Sequence, residues 1–305
     1  MLRPLHSIVA LAALCAAAPA LAADANLMFP DLRPAYPTSW EDSPENPLRF
    51  EAGLRYWYAL GEQNAELGGQ TFNTRDRSHI LEAHFRIDDA STDSFLKGQA
   101  GYAVAIDGEH LTHAGVPTNF TGGQVGYAGA DFGWTPFGNE TVKFGFITGY
   151  QFLRESPDRA RFDVQSIDGL NIHALRLGVT GRAEINDMFD IEAEIAAVPY
   201  AFASGSTAEI PSADQVVQGV TVNRSNFTAT GALYGATGQV MVGVHPTENL
   251  TFRFGGRASV LTGPSSMRFK QWNAATPNSY IYSDTLLSGF SLVRYGVVAE
   301  VTGRF

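Results

Sequence analysis

Along most of this chain apolar and polar residues alternate for about 10 to 13 residues at a time, a period of two that admits only extended strands with two unlike faces. The last segment shows it best. Counting back from Phe305, one face carries Gly303, Val301, Ala299, Val297, Tyr295 and Val293, and the other carries Arg304, Thr302, Glu300, Val298, Gly296 and Arg294. Seven further segments alternate in the same way: 48–58, 79–87, 96–106, 142–152, 175–185, 189–195 and 250–260. In 96–106, for example, Leu96, Ala100, Tyr102, Val104 and Ile106 oppose Lys97 and Gln99. Two segments are less decided. In 122–134, Val125 and Tyr127 compete with Phe132 and Trp134; in 227–244 the face of Tyr234, Val240, Val242 and Val244 is favoured by a small margin. No apolar run approaches the roughly 18 residues of a membrane-crossing helix. A strand of about 10 residues, tilted, does cross a bilayer.

The gaps between these ten strands alternate in length. Those at 88–93, 135–140, 186–188 and 245–249 are short; those at 60–77, 107–119, 154–172, 203–226 and 263–287 are long. The expected fold is all-β, a transmembrane antiparallel up-and-down β-barrel of about ten strands, with eight or twelve as alternatives. It would have short periplasmic turns and long extracellular loops. Two loops are expected to rise as ribbons: one around the turn dipeptide Asp168-Gly169, the other over 263–287 with Phe269, Trp272, Tyr280 and Tyr282. An alternating strand that ends the chain on Phe305 resembles the C-terminal signature of Gram-negative outer-membrane barrels. The resemblance implies that Phe305 is a barrel-insertion signal and the insertion machinery a partner.

Residues 1–22 read as a cleaved secretory signal, with a polar start, a short apolar run and the small-residue stop Ala20-Leu21-Ala22. Cys15, the single cysteine, lies in it, so the mature chain has no thiol chemistry. Residues 23–47, rich in proline, are expected as a periplasmic or lumen-lying lead, and 48–305 as the barrel. Loss of Arg3 moves the net charge from −10 to −11. That balance argues against nucleic acid as a partner. Outer-membrane lipid and lipopolysaccharide are the expected surroundings, with a small solute or extracellular ligand as the further partner.

The polar faces carry many charges. Arg49, Arg55, Arg86, Lys97, Lys143, Arg176, Arg182, Arg253, Arg257, Arg294 and Arg304 are set against Glu51, Glu82, Glu184, Asp190, Glu192, Glu194 and Glu300. A mid-membrane Arg or Lys turned toward lipid costs roughly 2–4 kcal/mol, so these groups belong in the lumen, where they can pair. About ten strands leave little room beyond the side chains. A lumen filled by ion pairs is therefore expected, with a narrow porin-like channel for small polar solutes as the alternative.

Asp107, Glu109, His110 and His113 gather at the top of the third strand, the residue types of acid/base chemistry. Their spacing matches no metal signature, and neither a metal nor a cofactor is expected. Ten strands with tall outer loops is similar to the omptin family of outer-membrane proteases, which set an Asp pair against a His-Asp pair across the barrel mouth. The resemblance implies that Asp107 and Glu109 stand for the first pair. The facing loop, 203–226, offers Glu209 and Asp214 but no histidine, so the resemblance stays with the fold. Barrel lipid hydrolases use a lipid-facing Ser and His. Here His79 faces outward, but Ser78 faces the other way. The expected function is a non-enzymatic surface protein acting through acidic extracellular loops; a loop-side hydrolase of omptin-like architecture is the remaining alternative.

Overall fold

The computed structural model describes residues 47–67, 70–111, 117–139, 141–157, 170–206, 210–276 and 279–305. The signal segment, nearly all of the lead, His113, and the Asp168-Gly169 dipeptide lie outside them.

Ten antiparallel strands close into a ring. In order around it they are β1 (Leu48–Leu67), β2 (Gln70–Asp89), β3 (Ser94–Leu111), β5 (Gln124–Gly138), β6 (Val142–Ser156), β7 (Leu170–Asn186), β8 (Phe189–Ser206), β10 (Val220–Thr247), β11 (Leu250–Asn273) and β12 (Tyr280–Arg304). Two short strands, β4 (Pro117–Thr121) and β9 (Ile210–Val217), pair on β3 and β10. The seam is β1 against β12, in register from Glu51↔Arg304 upward. It is locked at the bottom by an exchange of backbone bonds between Phe50 and Phe305, at 2.9 and 3.2 Å.

The alternation explains which face is which. Leu48, Phe50, Leu54, Tyr56, Phe144, Phe146, Leu175, Leu177, Val240, Val242, Phe254 and Val297 stand exposed on the outside. Rows like these are stable only in hydrocarbon. The two undecided segments resolve. Phe132 and Trp134 point outward while Val125 and Tyr127 are buried inside, and Tyr234 and Val240 point outward.

Several strands are far longer than the roughly 10 residues a crossing needs; β10 has 28 and β12 has 25. The surplus continues the hairpins past the membrane, so much of what the sequence reads as loop is ladder. The segment 60–77 is the top of β1 and β2, in register to Leu67↔Gln70. Residues 263–273 and 280–287 pair as a ribbon whose outer face carries Lys270 against the Tyr280 ring and an Arg268–Asp284 pair at 2.9 Å. That hydrogen bond holds the Asp284 carboxyl below its ordinary range. Within 203–226, β9 turns into β10 through Gln218-Gly219, both with positive φ (50° and 80°). This is the signature of a two-residue primed turn, in which Gly219 is conformationally at ease and Gln218 is not.

One irregularity changes a strand's meaning. In β3, His79 of β2 pairs with Ala105, but Ile80 pairs with Ala103, so one extra residue is inserted. A bulge of this kind exchanges the two faces of everything beyond it. Sequence alternation puts Ile106 on the lipid row; in the fold it is buried in the lumen, 4% exposed. In β8 a similar irregularity falls at Pro199, between the pairs formed by Ala197 and Tyr200 with β7, where a missing N–H does least harm.

Because Phe254 lies on the lipid row and Leu286 on the outer face of a ribbon, nitroxide accessibility should tell them apart. A label at Phe254→Cys in refolded protein in vesicles should be relaxed by oxygen and spared by a water-soluble nickel chelate, and one at Leu286→Cys the reverse. Equal nickel access at both would refute the membrane placement.

Candidate functional site

The chemistry of the barrel is concentrated in its lumen, where charged side chains meet in three tiers. Near the periplasmic end, Asp190 on β8 accepts from Arg182 at 2.7 Å, from Arg253 at 3.1 Å and from His245 Nε2 at 2.9 Å. Glu51 on β1 holds Arg304 at 2.9 Å and lies 3.5 Å from Arg182, which comes from the far side of the ring. Arg86 stacks over the Phe95 ring, pairs with Asp88 at 2.8 Å and lies 3.6 Å from Glu192 across the lumen.

The middle tier has two halves. Glu82 is fully enclosed and accepts from Arg55 and Arg257, both at 2.7 Å, and from the Tyr127 hydroxyl. Arg257 reaches it from β11 and lies near the rings of Trp57 and Tyr127, at 5.1 and 5.7 Å. Glu300 binds Arg55, and Arg253 at 2.8 Å, so it ties this half to the tier below. In the other half Arg176 donates to Asp131 and Glu194, each at 2.6 Å, and Lys97 of β3 meets Glu194 of β8 across the barrel. The top tier is a single clamp. Arg294 on β12 bonds Asp76 on β2 at 2.9 Å and Glu155 on the opposite strand β6 at 2.7 Å.

Glycines opposite these groups create the room. A methyl group at Gly243 would overlap the Asp190 carboxylate, and one at Gly149 the Asp131 carboxylate. Among these charges lies a cavity of about 70 Å³ lined by Arg55, Trp57, Tyr127, Arg257 and Glu300 among others. That is space for a few waters.

Most of the charges read from the sequence stand in this network. Three are peripheral: Arg49 and Glu184 are exposed at the periplasmic rim, and Lys143 reaches Asp93 in a turn at 3.1 Å. Several members are not on that list. Asp131 and Tyr127 lie on the strand whose faces compete. Asp76 and Glu155 lie in segments read as loop, and extending the alternation past 79 and 152 would have found them. His84 and His245 also belong, His84 hydrogen-bonded to Thr302 at 3.0 Å and His245 to Thr251 at 2.9 Å.

The described members of the loop-side cluster do not come together. The β3 bulge turns Asp107 and Glu109 to the outer surface, where they stand in register with Arg77 and Arg75. His110 points the other way, buried, with Nδ1 3.1 Å from the Thr74 hydroxyl. Carboxylates and imidazole are thus on opposite faces of one strand. Ser78 is buried inside while His79 is outside, bonded to the Tyr56 hydroxyl at 2.6 Å. Among the described residues no group of three or more His, Cys, Asp or Glu is arranged to hold a metal ion.

Removing one partner of an enclosed ion cluster strands the others. Glu82→Ala, which leaves Arg55 and Arg257 uncompensated, should cost roughly 3–5 kcal/mol; Glu184→Ala, at the rim, should stay within about 0.5 kcal/mol. Urea unfolding of the refolded protein in vesicles measures both, and equal costs would count against the network as the barrel's core.

No family model and no curated protein matches the sequence. Solved structures do. The outer-membrane protease OmpT of Escherichia coli aligns over 85% of this chain and 98% of its own, with 12% identity and a TM-score of 0.57. Ail, the attachment invasion locus protein of Yersinia pestis (9% identity, 84% of this chain and 98% of that one), and the toluene transporter TodX of Pseudomonas putida (9%, 88% and 92%) overlay more loosely, each with a TM-score of 0.28. The likeness to OmpT is one of fold, and the chain is a ten-stranded β-barrel of the outer-membrane kind.

Proposed function

We propose that this protein is a closed, non-enzymatic barrel of the bacterial outer membrane that works through its extracellular ribbons, with the lumen serving as a rigid core. The observation that carries this reading is the set of ion pairs joining opposite walls: Arg294 to Glu155, Arg86 to Glu192 and Lys97 to Glu194. Each tier bars the axis at a different height. A hydrated ion crossing the barrel would have to break enclosed pairs, at several kcal/mol per stranded charge.

A hydrolytic role draws no support from the loop-side residues, since Asp107 and Glu109 are turned away from His110 by the bulge. OmpT is a protease, but 12% identity carries the fold and not the chemistry. The ribbons are a better place for function. They are paired ladders standing in water, with the exposed side chains Tyr280, Tyr282, Leu286 and the Arg268–Asp284 pair on one outer face.

Single-channel recording in a planar bilayer tests the reading. The wild-type protein, with insertion verified by its different migration in unboiled and boiled gel samples, should be silent. Arg294→Ala, which opens the top clamp, should give at most rare, small steps, because two tiers remain below it. Regular salt-dependent conductance by the wild type would overturn the proposal in favour of a narrow channel.

A further inference from the structure

Two of the lipid-facing rows end on the same construction. On β1 and β2, the Tyr56 hydroxyl lies 2.6 Å from His79 Nδ1, and the Tyr58 ring meets the imidazole edge-on at 5.3 Å between centroids. On β6 and β7, the Tyr150 hydroxyl lies 2.6 Å from His173 Nδ1, and the Phe152 ring is 5.2 Å from that imidazole. In each case the second aromatic is the histidine's direct cross-strand partner, Tyr58↔His79 and Phe152↔His173. In each case the next outward position further from the membrane is an arginine: Arg77 beyond His79, and Arg154 beyond Phe152. The two hairpins are separate in the ring, with β3 and β5 between them on one side.

Chemistry and height fit one kind of ligand. A phenol that donates to Nδ1 fixes the neutral imidazole with its proton on Nε2, so the remaining nitrogen is a donor. Neither Nε2 has a hydrogen-bond partner among the described residues. The rows below, Leu48 to Tyr58 and Val142 to Phe152, each cover the apolar band of about 25 Å expected of such barrels. Both constructions therefore sit where hydrocarbon meets headgroups on the side of the long hairpins, the outer leaflet. An imidazole N–H with a guanidinium just above it presents two donors and a positive charge, a match for phosphate.

We propose that the two constructions are cradles for the phosphomonoester of an outer-leaflet lipid. Nε2–H and the arginine donate to phosphate oxygens, and the paired aromatic rings pack against the apolar part beneath. The cradles differ in their surroundings. Arg77 stands opposite Asp107 in the ladder, a carboxylate that weakens the field for an anion. Arg154 donates to Gln124 at 2.8 Å and Asn171 at 3.0 Å.

Native mass spectrometry of the refolded protein in dodecyl maltoside, with dioleoyl phosphatidic acid as the phosphomonoester probe, counts occupied cradles. Two retained lipids are expected for the wild type. His173→Phe should remove one of them, and His79→Phe with His173→Phe should remove both, weakening retention at least about tenfold. Arg77→Gln with Arg154→Gln, which leaves the aromatic rows untouched, should weaken it as well. Unchanged retention by either double variant with a normal gel shift would overturn the proposal. So would equal retention of dioleoyl phosphatidylcholine, or displacement of the lipid by millimolar inorganic phosphate, which would make the site one for free phosphate.

Discussion

Everything in this barrel follows from where a charge can be put. The outer face of each crossing strand meets hydrocarbon, so its charged residues are confined to alternate positions that point inward. Once inside, they are too close to one another and too far from bulk water to stand alone. Arg55, Glu82, Arg257 and Glu300 solve this by sharing: each carboxylate takes two guanidinium groups, and Arg55 takes two carboxylates. Most of these bonds join neighbouring strands, but Arg257 of β11 reaches Glu82 of β2, and with Arg294–Glu155, Arg86–Glu192 and Lys97–Glu194 it braces the cylinder across its width. Backbone ladders fix how strands sit side by side; these cross-ties fix the section.

The glycines belong to that arrangement. Gly149 and Gly243 stand beside Asp131 and Asp190, where any larger side chain would displace a carboxylate. A soluble core is built by fitting apolar volumes together. This one is built by clearing space for charged groups of fixed geometry and letting guanidinium planes fill it.

Much of this was legible in the sequence, and the failures have a common cause. Strand number, the lipid-facing rows of β1, β6 and β7, and the inward charges of β8 and β11 follow from a period of two, which needs no tertiary information. The period is harder to see at the strand tops, where hydrocarbon no longer selects apolar residues. Asp76 and Glu155 were lost there, although they still alternate correctly. It misleads in β3, where one extra residue next to Ala105 reverses the faces. A bulge leaves no mark in composition, because alternation on either side of it is intact. Only the partner strand reveals the slip, and with it the true positions of Asp107 and Glu109. The turn at Gln218-Gly219 was hidden for a local reason, since glutamine is an uncommon occupant of a left-handed position.

The seam between β1 and β12 has a consequence for how the chain comes to exist. Its two edges are β1 and β12, and the backbone exchange between Phe50 and Phe305 closes it at the base. No intermediate in which β12 has not met β1 is a complete cylinder. Until they meet, both edges are open ladders able to pair with any other strand they encounter, and the contact that silences them joins residues as far apart in sequence as Glu51 and Arg304, which makes it slow to form. Until then the protein is a sheet with two adhesive margins, and it becomes inert only at the moment it becomes round.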